Sequence, residues 1–134
     1  MEILILSLFF LFGATVFAHT GKAITTSRLK GSGTEPNYVA WGTGAGTAAV
    51  TDTTLFTESS ESRVSGTSTQ QTTSQTNDTY QVVGTLTADG TKTITNAGLF
   101  DASTSGNLFV KGDFTGVALV ATESIQFTIK LQYT

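Results

Sequence analysis

The chain has no cysteine, one proline and one histidine, and only 13% of its 134 residues are charged. Each shortage closes a route. Without cysteine there is no disulfide, no thiolate nucleophile and no Cys-ligated zinc, so stability has to come from packing or from assembly. A lone histidine excludes a metal site built on a histidine pair. That residue, His19, adjoins an apolar segment and has no orienting carboxylate or nucleophile close in sequence, so it reads as a linker residue rather than a general base. Seven Lys and Arg against ten Asp and Glu leave a net charge of −3. With the cations spaced singly, no basic field exists to attract a phosphate backbone, and no nucleic-acid partner is expected.

What fills the chain instead is Thr, Ser, Gly and Phe. Thr is β-branched, loses rotamer freedom in a helix and fits a pleated, half-exposed surface, so short apolar runs among threonines lean towards sheet. The length allows one core and at most an arm. The expected fold is all-β, an antiparallel β-sandwich or jelly-roll-like domain over residues 28–134, preceded by an apolar N-terminal arm or helix and a transition over residues 1–27.

The first segment, Ile3 to Ala18 (ILILSLFFLFGATVFA), is apolar and uncharged. As a secretory signal it has a small residue at Ala18, but Glu2 stands where a cation belongs. As a membrane span its length is short, since some 16 residues at 1.5 Å each reach roughly 24 Å against a hydrocarbon core of ~30 Å. The favoured reading is an arm that buries itself on a neighbouring subunit through Ile3, Ile5, Leu8, Phe9, Phe10, Phe12 and Phe17, because an exposed apolar segment of this size is an association site. A membrane partner is not expected.

Further on, His19 to Lys30 is a polar transition, a helical turn or a leading strand, and Gly31 to Thr34 a loop. Pro36 drives Glu35 into extended backbone ahead of a core strand, Tyr38-Val39-Ala40-Trp41. Asp52 is placed to cap a short helical turn through Leu55-Phe56. Ser62 to Ser74 suits a polar edge strand. A turn over Gln75 to Asp78 leads to a strand from Thr79 to Thr87, with Gly84 opposite a bulky neighbour or at a bulge. Asp89-Gly90 signals a tight hairpin to a partner strand, Thr91 to Phe100. After a turn at Ser103 to Gly106, Asn107 to Lys111 forms a short strand. The last segment alternates most clearly, with Ile125, Phe127, Ile129, Leu131 and Tyr133 dry and Gln126, Thr128, Lys130 and Gln132 wet. Burying the dry side contributes roughly 1.5–3 kcal/mol per side chain before entropy costs. Trp41, Ile125, Phe127, Ile129 and Leu131 are the expected core. Six or seven short strands with turns about ten residues apart complete the sandwich pattern.

Candidates for chemistry are thin. Asp52, Glu58 and Glu61 supply the residue type of a glycosidase pair, but on a turn or loop solvated charge is the simpler reading. Gly42-Thr43-Gly44-Ala45-Gly46 lacks the Lys-Ser/Thr of a phosphate loop and the strand-to-helix setting, so it reads as a flexible loop. Asn77-Asp78-Thr79 fits a glycosylation acceptor and equally an Asx turn. No catalytic residue, metal or cofactor is expected, and no enzyme activity.

Three blocks in order carry a resemblance: Gly33-Thr34-Glu35-Pro36 with Tyr38 to Gly44 and Thr51 to Glu58; Ile94 to Asp101 with Gly106 to Phe109; and Ser124 to Thr128. Together they resemble small tailed-bacteriophage virion structural proteins, over roughly Gly21 to Thr134. The resemblance implies a particle component with no catalytic residues. Its first form is a capsid decoration or cement protein that binds and stabilises the major capsid protein shell on the capsid surface. The alternative is a tail-fibre, collar or receptor-binding component, and the N-terminus alone suggests a secreted or membrane-attached surface protein. Expected partners are the major capsid protein or other virion proteins and further copies of the chain, for instance as a trimer.

Overall fold

The computed structural model describes residues 2–4 and 12–134, with side chains from residue 13 onward. Among the described residues nine strands and one helix follow one another: β1 (Glu2–Leu4), β2 (Phe12–Phe17), α1 (His19–Leu29), β3 (Tyr38–Gly42), β4 (Val64–Ser65), β5 (Thr67–Gln71), β6 (Thr79–Thr87), β7 (Lys92–Phe100), β8 (Leu108–Leu119) and β9 (Ser124–Gln132). They form an antiparallel β-sandwich. One sheet has the order β1-β9-β6-β5 and the other β2-β8-β7-β3-β4. Among the described residues the one parallel pairing is β1 on β9.

The main core lies between the sheets. Val82, Leu86, Ile125, Phe127 and Ile129 of the first sheet meet Val39, Trp41, Ile94, Leu99, Phe109 and Phe114 of the second, with Leu131 half-buried against them. Phe127 is central, its ring edge-on to Trp41 at 6.3 Å between centroids and tilted against Phe114 at 6.3 Å. The alternation of β9 delivers these residues to one side. Tyr133, counted with them from the sequence, lies past the end of β9 and is 51% exposed, because the sandwich ends at Gln132.

The five-stranded sheet is buried on both faces, so β3 and the end of β7 show continuous burial instead of alternation. Its second face carries a smaller core in which Leu55 packs with Ala18, Ala40, Phe100 and Leu108. The chain from residue 43 to 63 is the cover. It contains no helical turn at Leu55-Phe56, contrary to the expectation. Asp52 instead accepts from Ala49 N–H at 3.1 Å and from Lys111. Nor is the Gly42–Gly46 stretch loose, since Thr43 and Gly44 donate their amides to the carbonyls of Thr57 and Phe56.

Two further sequence expectations are corrected. Asp89-Gly90 does not close a hairpin: β6 pairs with β5 and β9, β7 with β3 and β8, and the link crosses between sheets. Ala88 is tied there to the 120–123 turn, donating to Glu123 O and accepting from Thr122 N–H, each at 2.8 Å. The strand expected to stop at Lys111 runs on to Leu119, its glycines at 112 and 116 lying inside a 12-residue strand.

The polar transition is a helix with poor intrinsic credentials: it holds Gly21 and three threonines, and Ala18 offers no capping side chain. Packing holds it. Ile24 enters the main core, Thr20 Oγ1 donates to Leu108 O at 2.5 Å, and Gly21 lies so close to β8 that a Cβ there would stand 2.4 Å from Phe109 O. Of the arm residues, Ile5, Leu8, Phe9 and Phe10 lie outside the described residues. The backbone of Ile3 pairs with Phe127 and that of Phe12 with Phe114. Phe17 is half-buried, edge-on to Phe109 at 5.2 Å.

Candidate assembly interface

The charged side chains that sequence reading offers as catalytic candidates are engaged with cations. Lys111 Nζ, on a side chain 1% exposed, donates to Asp52 Oδ2 at 2.8 Å and to Thr54 O at 3.0 Å, and sits 3.1 Å from the centroid of the Phe56 ring. The Lys111 hydrogen bond holds the Asp52 carboxyl below its usual range. Arg63 grips Glu58 with two nitrogens at 2.7 and 3.0 Å, reaches the carbonyls of Ala102 and Ser105, and lies over the Phe100 ring. Lys92 joins Glu61 and Asp89, and Trp41 Nε1 donates to Glu61 Oε2 at 3.2 Å. Burial pushes the Glu61 carboxyl up, but hydrogen bonds from Lys92, Ser59 and Trp41 outweigh it and hold the group well below the usual carboxylate range. Lys92 is raised by hydrogen bonds to Asp89 and Glu61.

Two more polar side chains fasten the cover. Asn96, fully buried, accepts the Phe56 amide at 3.0 Å and donates to the Phe56 carbonyl at 3.0 Å. Asp113 accepts from Ala48 N–H at 2.6 Å and Ala14 N–H at 3.1 Å. Sequence reading passed over Asn96, Lys111 and Asp113. The available signal was a polar residue in the middle of an apolar run, as in ITNAGLF and LFVKGDF.

Elsewhere Asp78 locks its turn, accepting the amides of Thr73, Ser74 and Gln75, which hold its carboxyl far below the usual range. This is the Asx-type reading of the Asn77-Asp78-Thr79 motif. A hollow of about 380 Å³ beside it is lined by Glu35, Ser68, Gln70, Asn77, Tyr80 and Tyr133. Its Tyr80 hydroxyl donates to Glu35 at 3.1 Å. His19 is exposed at the start of α1. Among the described residues no three His, Asp or Glu side chains converge as a metal site, and no helix is long and apolar enough to cross a membrane.

The surfaces left for contact include the ends of the sandwich, its edges and the polar outer face of the four-stranded sheet. β5 forms one edge, with the uncharged sequence TSTQQ. At one end α1 packs on the start of β8; at the other, beyond Leu119, the 120–123 turn sits beside Ala88 and Asp89.

No curated protein and no solved structure matches the chain. A family model described as podophage GP4 fiber I protein gp80 matches residues 19–131, from the first residue of α1 almost to the end of β9, and leaves β1 and β2 outside the match. A sandwich whose charges are turned inward to hold its own cover, matched over most of its length by that model, belongs to the podophage GP4 fiber I protein gp80 family and is a structural protein of the tailed-phage virion.

Proposed function

We propose that the chain is a non-enzymatic component of the tail fibre that works through surface contacts with further copies of itself and with neighbouring tail proteins. The match to a fibre family over residues 19–131 carries this reading. The geometry supports it: Asp52, Glu58 and Glu61, the carboxylates that glycoside hydrolysis would draw on, are each bound to a different cation. Residues 1–18, outside the family match, add β1 and β2 to the outer edges of the two sheets. There their backbones present two further sheet edges to a neighbour.

Gold-labelled antibody on intact virions, read with quantitative mass spectrometry of the same particles, tests the location. The expected result is label at the tail and a copy number far below that of the major capsid protein. Label spread over the shell, with a copy number matching that of the capsid protein, would replace the fibre reading with that of a decoration or cement protein.

A further inference from the structure

We infer that copies of this chain associate head to tail, with the outward stripe of α1 in one copy seated on the 120–123 turn and Asp89 of the next.

The head is basic with an apolar anchor. Residues 19–30 carry Lys22, Arg28 and Lys30 and no acid. Six of the seven exposed positions of α1 and its cap, His19, Lys22, Ala23, Thr26, Leu29 and Lys30, recur at helical spacing and so share one face, with exposed Arg28 lying off it. Gly21 and Ile24 point the other way, into the protein. Leu29 is 83% exposed, the most exposed large apolar side chain among the described residues. The Arg28 side chain is turned to Gly33 O at 2.9 Å, whereas the side chains of Lys22 and Lys30 make no hydrogen bond or ion pair among the described residues. Acids on the same end of the sandwich are occupied locally, Asp101 with Asn107, Asp78 with its turn and Glu35 with Tyr80.

The tail is the complement. Val120 is 54% exposed, and Glu123, also exposed, accepts the Val120 amide at 2.9 Å. Beside it Asp89, 58% exposed, shares the single ammonium of Lys92 with Glu61, so three carboxylates stand against one cation. The 12 residues of β8 separate the two ends by roughly 36 Å at ~3.3 Å per residue. One copy therefore cannot bring its own head to its own tail. Two different complementary patches at opposite ends make a heterologous contact, which closes into a ring or runs on as a filament according to the rotation between copies. This inference stands on the two end surfaces and not on the fibre reading; a tail-located protein that stayed monomeric would refute it and leave the tail location standing.

Sedimentation velocity of the full chain over a concentration series, at ionic strengths of about 0.1 M and about 1 M, reads the association. The wild type is expected to sediment faster as concentration rises, and less so at high salt. Leu29→Asp, the head variant Lys22→Glu with Lys30→Glu, and the tail variant Val120→Lys with Glu123→Lys each weaken self-association at least tenfold. Mixing the head and tail variants restores it, because each keeps the surface the other lacks. All three change exposed positions, and an unchanged circular dichroism spectrum and melting temperature identify them as folded. A wild type monomeric throughout, a folded variant that associates like wild type, or a mixture of folded head and tail variants that stays monomeric would each overturn the inference.

Discussion

Replacing Asn96 with leucine removes the one side chain that satisfies both backbone groups of Phe56. The site is fully buried and tight, since a Cβ on Gly42 would stand 2.8 Å from Asn96 Nδ2. Leucine has the same number of side-chain heavy atoms and a larger volume, so no cavity forms and the loss falls on hydrogen bonding and fit. The Phe56 carbonyl keeps its bond from the Gly44 amide, but the Phe56 N–H loses its partner at a cost of about 1–3 kcal/mol, from which the added apolar contact of leucine subtracts part. The expected loss is about 1–3 kcal/mol. With a urea m-value of about 1–3 kcal/mol/M, a loss near 2 kcal/mol lowers the unfolding midpoint by about 0.7–2 M. Limited proteolysis reads the second consequence, cleavage between residues 43 and 63 at protease levels that spare the wild type. If Asn96→Leu unfolds within about 0.5 kcal/mol of wild type, the cover is held by the burial of Leu55 and not by the asparagine, and the reasoning fails.

Acid should loosen the same cover. Glu61 and Asp52 are held below their ordinary values of 4.5 and 3.8, so their contribution is complete above those values and is lost as pH falls below them. Thermal melts should show stability level near neutrality and declining from about pH 4.5 downward, with a shallower decline in Glu61→Gln. At Gly84, where a Cβ would stand 2.7 Å from Val39 Cγ2, Gly84→Val should cost about 1–3 kcal/mol by chemical denaturation. An unchanged midpoint would show that the sheets separate locally to admit the larger side chain.

The parts of the fold legible in the sequence are those where one face alone is buried. β9 alternates because one of its sides meets the opposite sheet, and Thr79–Thr87 emerges as a strand with the bounds expected of it. Ser62 to Ser74 reads as an edge and contains β5, the edge of its sheet. Where both faces are covered the pattern fails. The polar residues of β7 and β8 interrupt the period-two signal and serve as pegs for the cover, so β8 was cut short at its lysine. The Asp89-Gly90 signal marked a sharp change of direction, but turn chemistry does not say whether the strands it joins pair with each other or lie in different sheets. For the candidate interface, the apolar start pointed to association. Composition alone described the cations as scattered because it cannot separate those consumed inside the protein from those that face outward.

That separation changes how the charge of the chain is understood. A cysteine-free domain has to hold a long irregular segment over a sheet face by other means. Here it uses three ion pairs, Lys111 with Asp52, Arg63 with Glu58 and Lys92 with Glu61, together with Asn96 and Asp113. Removing one partner of such a pair leaves the other charge poorly solvated, so these contacts fix where the cover sits more than they add to net stability. With three cations and three acids consumed by one another, four cations and seven acids remain, and three of those four cations, Lys22, Arg28 and Lys30, lie within twelve residues at one end. A net charge of −3 therefore conceals a polarised surface, in which the internal pairing that secures the fold also leaves positive charge concentrated on α1 and nearly absent elsewhere. Exposed charges attract at the range of a Debye length, roughly 8 Å at physiological ionic strength, so such a surface orients an approaching copy only in its last steps. The apolar contact between Leu29 and Val120 must then supply the affinity.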